Sequence, residues 1–302
     1  MSRTLVVQSY RRHDVPAWIA HCMESVRAWA LQRGHDYRLV GDEAFDLCGP
    51  EYLAQVGANV RAITNLARLE LVRAAHGDGY DSAVWVDADV LVFKPGTWSV
   101  DEVDRYAFAR ETWVGLAPNG NGRAFSAVNN SVFVCRRGEP DLEFLIDATR
   151  HVASHRRIAD NYQVGGDLIK GLRVSLAFET LPTVGMFSSF SVLALARGAD
   201  EIVALQARLH GGPIYAANLC ASENYVPPVS EAEVTAAMAV LQSTEGQVVN
   251  RWLDGSPALA MGQEAYFDAR TPKARAIAGA RRLLPKSFWR RSPGGVRFGT
   301  PP

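Results

Sequence analysis

The run Ser82-Ala83-Val84-Trp85-Val86-Asp87-Ala88-Asp89-Val90-Leu91-Val92-Phe93 constrains the chain most. A short apolar stretch bounded by turn residues reads as a buried strand, and buried strands on both faces belong to parallel sheets covered by helices. This one ends in two carboxylates one residue apart. Strand side chains alternate between faces, so residues 87 and 89 can point the same way. Two like charges held together repel, and a divalent cation with a taste for hard oxygen ligands, Mg²⁺ or Mn²⁺, relieves that repulsion. Such an ion can hold a diphosphate and neutralise charge on a leaving group. The competing role is one carboxylate capping the turn while the other is solvated.

The rest of the N-terminal half agrees with an α/β layout. Thr4 to Ser9 is an apolar strand, and Pro16 opens a helix with Trp18, Cys22, Val26 and Trp29 at helical spacing. Tyr37 to Val40 is a second strand. Residues 42 to 60 read as irregular. A helix capped by Thr64 and striped by Leu66, Leu69 and Val72 stops at His76-Gly77-Asp78-Gly79. Tyr106–Ala109 and Ser131–Cys135 are further strands. Asp141–Ala153, the region around Leu168 and Glu231–Leu241 are helical, and Leu205–His210 is an apolar run entering a Gly-rich turn. The chain reads as a main domain over 1–225, a helical extension over 226–272 and a basic tail over 273–302.

Lys plus Arg and Asp plus Glu are 32 each, so no net field attracts a polyanion and nucleic acid is not the expected partner. Cys22, Cys48, Cys135 and Cys220 form no C-x-x-C pair, and so few cysteines suit a reducing compartment. No signal-peptide pattern and no run of about 20 apolar residues is present, which predicts a cytoplasmic protein. The last thirty residues hold eight Lys/Arg and no Asp or Glu. There Arg281, Arg282, Lys286, Arg290 and Arg291 surround Leu283, Leu284, Phe288 and Trp289, a mixture suited to peripheral contact with an anionic membrane or to packing on the domain.

The segment from Asn65 to Phe93 resembles DxD-containing glycosyltransferases of the GT-A fold. It is similar in layout to the glycogenin-like and lipopolysaccharide glucosyl- and galactosyltransferase group, where a helix carrying an Arg precedes the strand that delivers D-x-D. Arg68, in L-A-R-L-E-L, stands in that place. The resemblance implies a Rossmann-like, mostly parallel central sheet flanked by helices, and a Mn²⁺ or Mg²⁺ cofactor. It also implies transfer of a hexose from a nucleoside diphosphate sugar, UDP by family habit, to a hydroxyl of a small molecule, glycan or lipid-linked acceptor, with retention. Asp89 would be a metal ligand, and Asp87 would bind metal, ribose or both. His210 would be the third ligand.

Gln8, Ser9, Tyr10 and Arg11 would hold the nucleotide, with Tyr10 on the base. Asn65 and Arg68 share a helix face towards the sugar or diphosphate. Asn129 and Asn130 would meet sugar hydroxyls, as amides both donate and accept. Gly211 and Gly212 would approach the diphosphate, although the lysine that accompanies such glycines is missing. Asp167 and Gln163 would sit near the anomeric carbon, as base or as support for the sugar; a helix N-cap is the other role for Asp167. A nucleotidyltransferase is the alternative enzyme, but Ser9-Tyr10-Arg11-Arg12-His13-Asp14 lacks the glycines of its phosphate loop. A non-catalytic sugar-nucleotide-binding protein on the same fold is the third reading.

Overall fold

Every residue from Leu5 to Val7 and from Ser82 to Val86 is buried, and these two strands lie side by side in parallel at the centre of the molecule. The computed structural model describes residues 3–117, 121–155, 161–173, 175–221 and 227–267. The tail expected over 273–302 lies outside the described residues. In chain order the elements are β1 (Thr4–Ser9), α1 (Ala17–Gln32), β2 (Asp36–Val40), α2 (Pro50–Val56), α3 (Val60–Gly77), β3 (Ser82–Val86), β4 (Val90–Val92), β5 (Tyr106–Leu116) and β6 (Gly122–Arg136). There follow α4 (Asp141–His155), α5 (Gly166–Leu172), β7 (Glu179–Leu181), β8 (Val184–Phe187), α6 (Ser189–Arg197), α7 (Asp200–His210), β9 (Ala216–Leu219), α8 (Glu231–Ser243), α9 (Gln247–Asn250) and β10 (Glu264–Phe267).

The main sheet runs β2-β1-β3-β6-β5-β7, with β10 added along β6. Only β6 runs against the other strands, so the expected mostly parallel sheet is present. A small sheet, β4-β9-β8, stands beside it. The alternation of strand side chains decides the layers. Leu5, Val7, Ala83 and Trp85 share a core with α3 and α4, while Val6, Val84 and Val86 share one with Val26, Trp29 and Ala30 of α1. β2 lies on one side of β1 and β3 on the other, so the carboxyl ends of β1 and β3 flank a topological switch point, where open α/β sheets bind ligands.

Two local expectations are corrected. Residues 42–56 are helical rather than irregular: a 3₁₀ helix over Asp42–Cys48 and then α2 bury Ala44, Cys48, Tyr52 and Val56 at four-residue spacing. α3 begins at Val60, with the Asn59 side chain accepting from the Ala62 N–H, and Thr64 lies inside it with its hydroxyl bonded back to the Val60 carbonyl. The segment expected as a helical extension packs on the main body. Val234, Ala237, Met238 and Leu241 of α8 share an apolar core with α6 and β9, and β10 extends the main sheet. Among the described residues no helix is long and apolar enough to cross a membrane, and all four cysteines are free and buried.

Candidate functional site

β3 delivers its chain into a tight turn at Asp87-Ala88-Asp89, fixed from four sides. The Asp87 N–H donates to the Ser131 carbonyl of β6 (2.7 Å), and the Asp87 carbonyl accepts from the Gln8 side-chain amide of β1 (3.1 Å) and from the Val90 N–H (3.1 Å). The Leu219 N–H of β9 donates to the Asp89 carbonyl (2.9 Å). Ala88 is buried between the two acids, which remain partly exposed.

Asp87 faces α3, on the same side of the strand as Trp85. Its Oδ1 accepts from Trp85 Nε1 (2.7 Å) and lies 3.4 Å from Arg68 Nη1. Asp89 accepts from the Asn218 side-chain amide of β9 (2.5 Å). Burial pushes both carboxyl groups up. Arg68 pulls Asp87 back, whereas Asp87 pushes Asp89 further, to about 7. Two acids held in one partly dry place, one of them on the edge of neutrality at physiological pH, form the donor set that a hard cation satisfies. Among the described residues no three His, Cys, Asp or Glu side chains converge on one ion position. The chain's own contribution would therefore be two carboxylates, a set that suits Mg²⁺ or Mn²⁺ when phosphate oxygens and water complete the shell.

Arg68 is 6% exposed. It donates to the Asn130 carbonyl (2.5 Å) and lies over the Trp85 ring (5.3 Å) as well as beside Asp87. It thus steadies the acid turn from below. Asn65, one turn earlier, accepts from the Asn130 side-chain amide (3.1 Å), and Gly165 approaches it so closely that a Cβ there would overlap the Asn65 amide. Asn129 turns to the other side: its Oδ1 accepts from the Ser131 N–H (2.7 Å) and its amide reaches towards Met186 Sδ (3.8 Å).

Gln8 is fully buried and held by the Tyr37 hydroxyl (3.0 Å), so it supports the Asp87 turn from within. Ser9 bonds the Gly41 carbonyl (3.4 Å). Tyr10 packs with Val15 and Trp18 against Ile19, Met23 and Ala88, which puts an aromatic ring next to the acid turn. Arg11 donates to the Asp14 carbonyl (2.8 Å), and Arg12 is paired with Glu43. Gln163 lies in a 3₁₀ turn before α5 and Asp167 in the first turn of α5. Gly165 occupies the cap of α5, so Asp167 is not an N-cap; it is exposed and 3.9 Å from Lys170 Nζ.

His210 is not brought to the acids. It ends α7, where Nε2 donates to the Pro182 carbonyl (2.6 Å) and Nδ1 accepts from the Thr112 hydroxyl (3.2 Å). Both ring nitrogens are used, and full burial holds the ring neutral, down to about 4. Gln206, one turn earlier, donates to the Thr112 carbonyl (2.7 Å), so the pair clips α7 to β5. Gly211 is the left-handed cap of α7 (φ 74°), packed on Ala258, and Gly212 continues the turn near Pro182. Neither belongs to a phosphate loop beside Asp89.

Two residues of this neighbourhood were not anticipated. Asn218 is a lone amide in the apolar run Ile214–Ala221, and Glu111 is a charged residue inside a buried strand. A polar residue at a core position of a strand is the signal that marks both.

No family model matches the chain, and no curated protein matches it. Among solved structures, the fold is similar to the crystal structure of a glycosyltransferase involved in the glycosylation of the major capsid of PBCV-1. Identity is 11%, the alignment covers 78% of this chain and 98% of that chain, and the TM-score is 0.46. At that distance the likeness concerns the course of the chain and assigns no residue a role.

Proposed function

We propose that this protein is a metal-dependent glycosyltransferase that moves a hexose from a nucleoside diphosphate sugar to a hydroxyl acceptor. One observation carries the reading. Asp87 and Asp89 flank a rigid turn at the carboxyl end of β3, beside the switch point between β1 and β3, with an aromatic ring on one side and a buried Arg beneath. Asp87 and Asp89 would hold Mn²⁺ or Mg²⁺. The bound ion would neutralise charge on the departing diphosphate.

The chain's own residues would do the rest by position. Gln8, Arg68 and Asn218 hold the two acids, and Tyr10 offers a face to a base. Asn130, Gln163 and Asp167 supply polar groups on the α5 side, and Asn129 supplies one facing Met186. In its finer form the reading takes UDP as the nucleotide and retention at the anomeric carbon. The acceptor would be a small molecule, a glycan or a lipid-linked hydroxyl.

The test is donor hydrolysis. The protein is incubated with a panel of nucleotide-sugars in Mn²⁺ or EDTA, and released nucleoside diphosphate is quantified. Metal-dependent release from one donor, abolished in Asp89→Ala, supports the reading and identifies the sugar. If neither UDP nor GDP binds in a metal-dependent way, the assignment of Asp87 and Asp89 is wrong.

A further inference from the structure

A chain of contacts joins α5 to the acid turn, and it starts at a residue that nothing above uses. Glu111, on β5, is 6% exposed. The ladder register sets it diagonally across from Asn129 on the same face of β5 and β6, where the Asn129 amide favours its ionised form, and its carboxylate lies 3.7 Å from Lys170 Nζ of α5. Asn129 Oδ1 accepts from the Ser131 N–H, and the Ser131 carbonyl accepts from the Asp87 N–H, each at 2.7 Å. The sequence of contacts is thus Lys170, Glu111, Asn129, Ser131, Asp87.

It crosses an irregular stretch of β6. Phe108 pairs with Phe133, but Ala109 pairs with Asn129, so residues 130–132 have no partner on β5. Such a bulge loses ladder hydrogen bonds and bends its strand, and side chains must hold it in one shape. A carboxylate buried in a strand is costly unless it is paired and hydrogen-bonded. Glu111 has both: a cation from α5 and the amide that clamps the bulge.

We propose that Glu111 is a positioning residue. Paired with Lys170, it fixes Asn129 and so the β6 bulge against which the Asp87 turn is set, coupling α5 to the carboxylates. The coupling itself is independent of the proposed function; only the ligand in the binding assay below rests on that reading.

Amide hydrogen exchange is measured in metal-free wild type, Glu111→Ala and Glu111→Gln, at Asp87 and Ser131 and, for reference, at Val84 and Val134 in the same strands. Affinity for Mn²⁺ with UDP is measured on the same samples. In Glu111→Ala, exchange should quicken at Asp87 and Ser131 and stay unchanged at Val84 and Val134, while affinity falls about tenfold, as for other outer partners of metal ligands. Glu111→Gln keeps an acceptor for Asn129 and should restore most of both. Unchanged exchange at Asp87 and Ser131, or equal acceleration at all four amides in both variants, would overturn the proposal. If the exchange pattern is as expected and wild type binds no Mn²⁺ with UDP, the positioning role stands and the proposed donor site fails.

Discussion

Replacing Asp89 by Asn should stabilise the metal-free protein, and more so as pH rises. Folded Asp89 keeps its proton to about pH 7, because it is buried and faces Asp87, whereas the unfolded residue releases it near pH 4. Between those values the unfolded state binds fewer protons, so stability falls as pH rises through the window and the loss is complete above pH 7. A displacement of about 3 pH units corresponds to a ceiling of about 4 kcal/mol. Partial exposure and screening bring it to about 2 kcal/mol. Asn is nearly isosteric, carries no charge, and its oxygen can still accept from Asn218. For a chain of this size 2 kcal/mol is about 4 °C in Tm. Thermal melts of wild type and Asp89→Asn in EDTA, at pH 4.5 and pH 8, read the difference directly, so other titrating groups cancel. Asp87→Asn is the contrast. It leaves the buried Arg68 without its carboxylate and should destabilise by about 3 kcal/mol. An Asp89→Asn protein that melts at or below wild type at pH 8, or whose gain is the same at both pH values, refutes the argument that the two acids are held together against their repulsion.

Three further outcomes follow from the same geometry. His210 is held neutral down to about 4, below its unfolded value near 6.5, so its contribution is present above pH 6.5 and lost as pH falls towards 4. His210→Gln should lower stability by about 2 kcal/mol at pH 7, flatten the acid limb of the pH–stability curve in urea melts, and leave Mn²⁺ affinity unchanged. Gly165→Ala forces a methyl group into the Asn65 amide and breaks its bond to Asn130, costing about 1–3 kcal/mol of stability, read by urea denaturation. Asn218→Ala removes the amide that favours ionised Asp89; Mn²⁺ affinity at pH 7 should fall about tenfold and recover partly at pH 8.5 in direct titrations.

The acid turn was legible because its signal is local. A fully buried strand announces itself by composition, and two acids at its end have few structural uses. Arg68 was singled out by the resemblance, which implies an Arg on the helix before that strand, and Asn65 by standing three residues away on the same face; the structure sets both beneath the turn, on Asn130. His210 misled because H-G-G-P after an apolar run describes two different things: a ligand at the end of a strand, or a helix capped by a left-handed glycine. Gln206 and His210, four apart and both buried, carried the distinction. Asn218 and Glu111 carry a local signal as polar residues in buried strands, but what they hold was out of reach. Their partners come from β4 with β9 and from β6 with α5, pairings that no local pattern encodes, and the β6 bulge depends on a register set by the whole sheet. The four-residue spacing from Ala44 to Val56 was visible, but Gly49 at φ 75° breaks the helix in two and hides the period.

The same contacts explain why the site tolerates so much unfavourable charge. Asp87, Asp89, Glu111 and Arg68 together place three acids and one guanidinium in a largely dry region, with Lys170 at its edge. A chain under no demand but stability would replace such groups with apolar ones of similar volume, often at no loss. Here each acid is instead tied to a separate element: Asp87 to α3, Asp89 to β9, Glu111 to α5. The repulsion between Asp87 and Asp89 is therefore borne by the packing of α3 and β9 around the turn. On the proposed reading, a cation held between Asp87 and Asp89 would recover that cost as affinity. Scaffolding of that kind around an electrostatically unfavourable pair would let the proposed site gain strength from only two carboxylates.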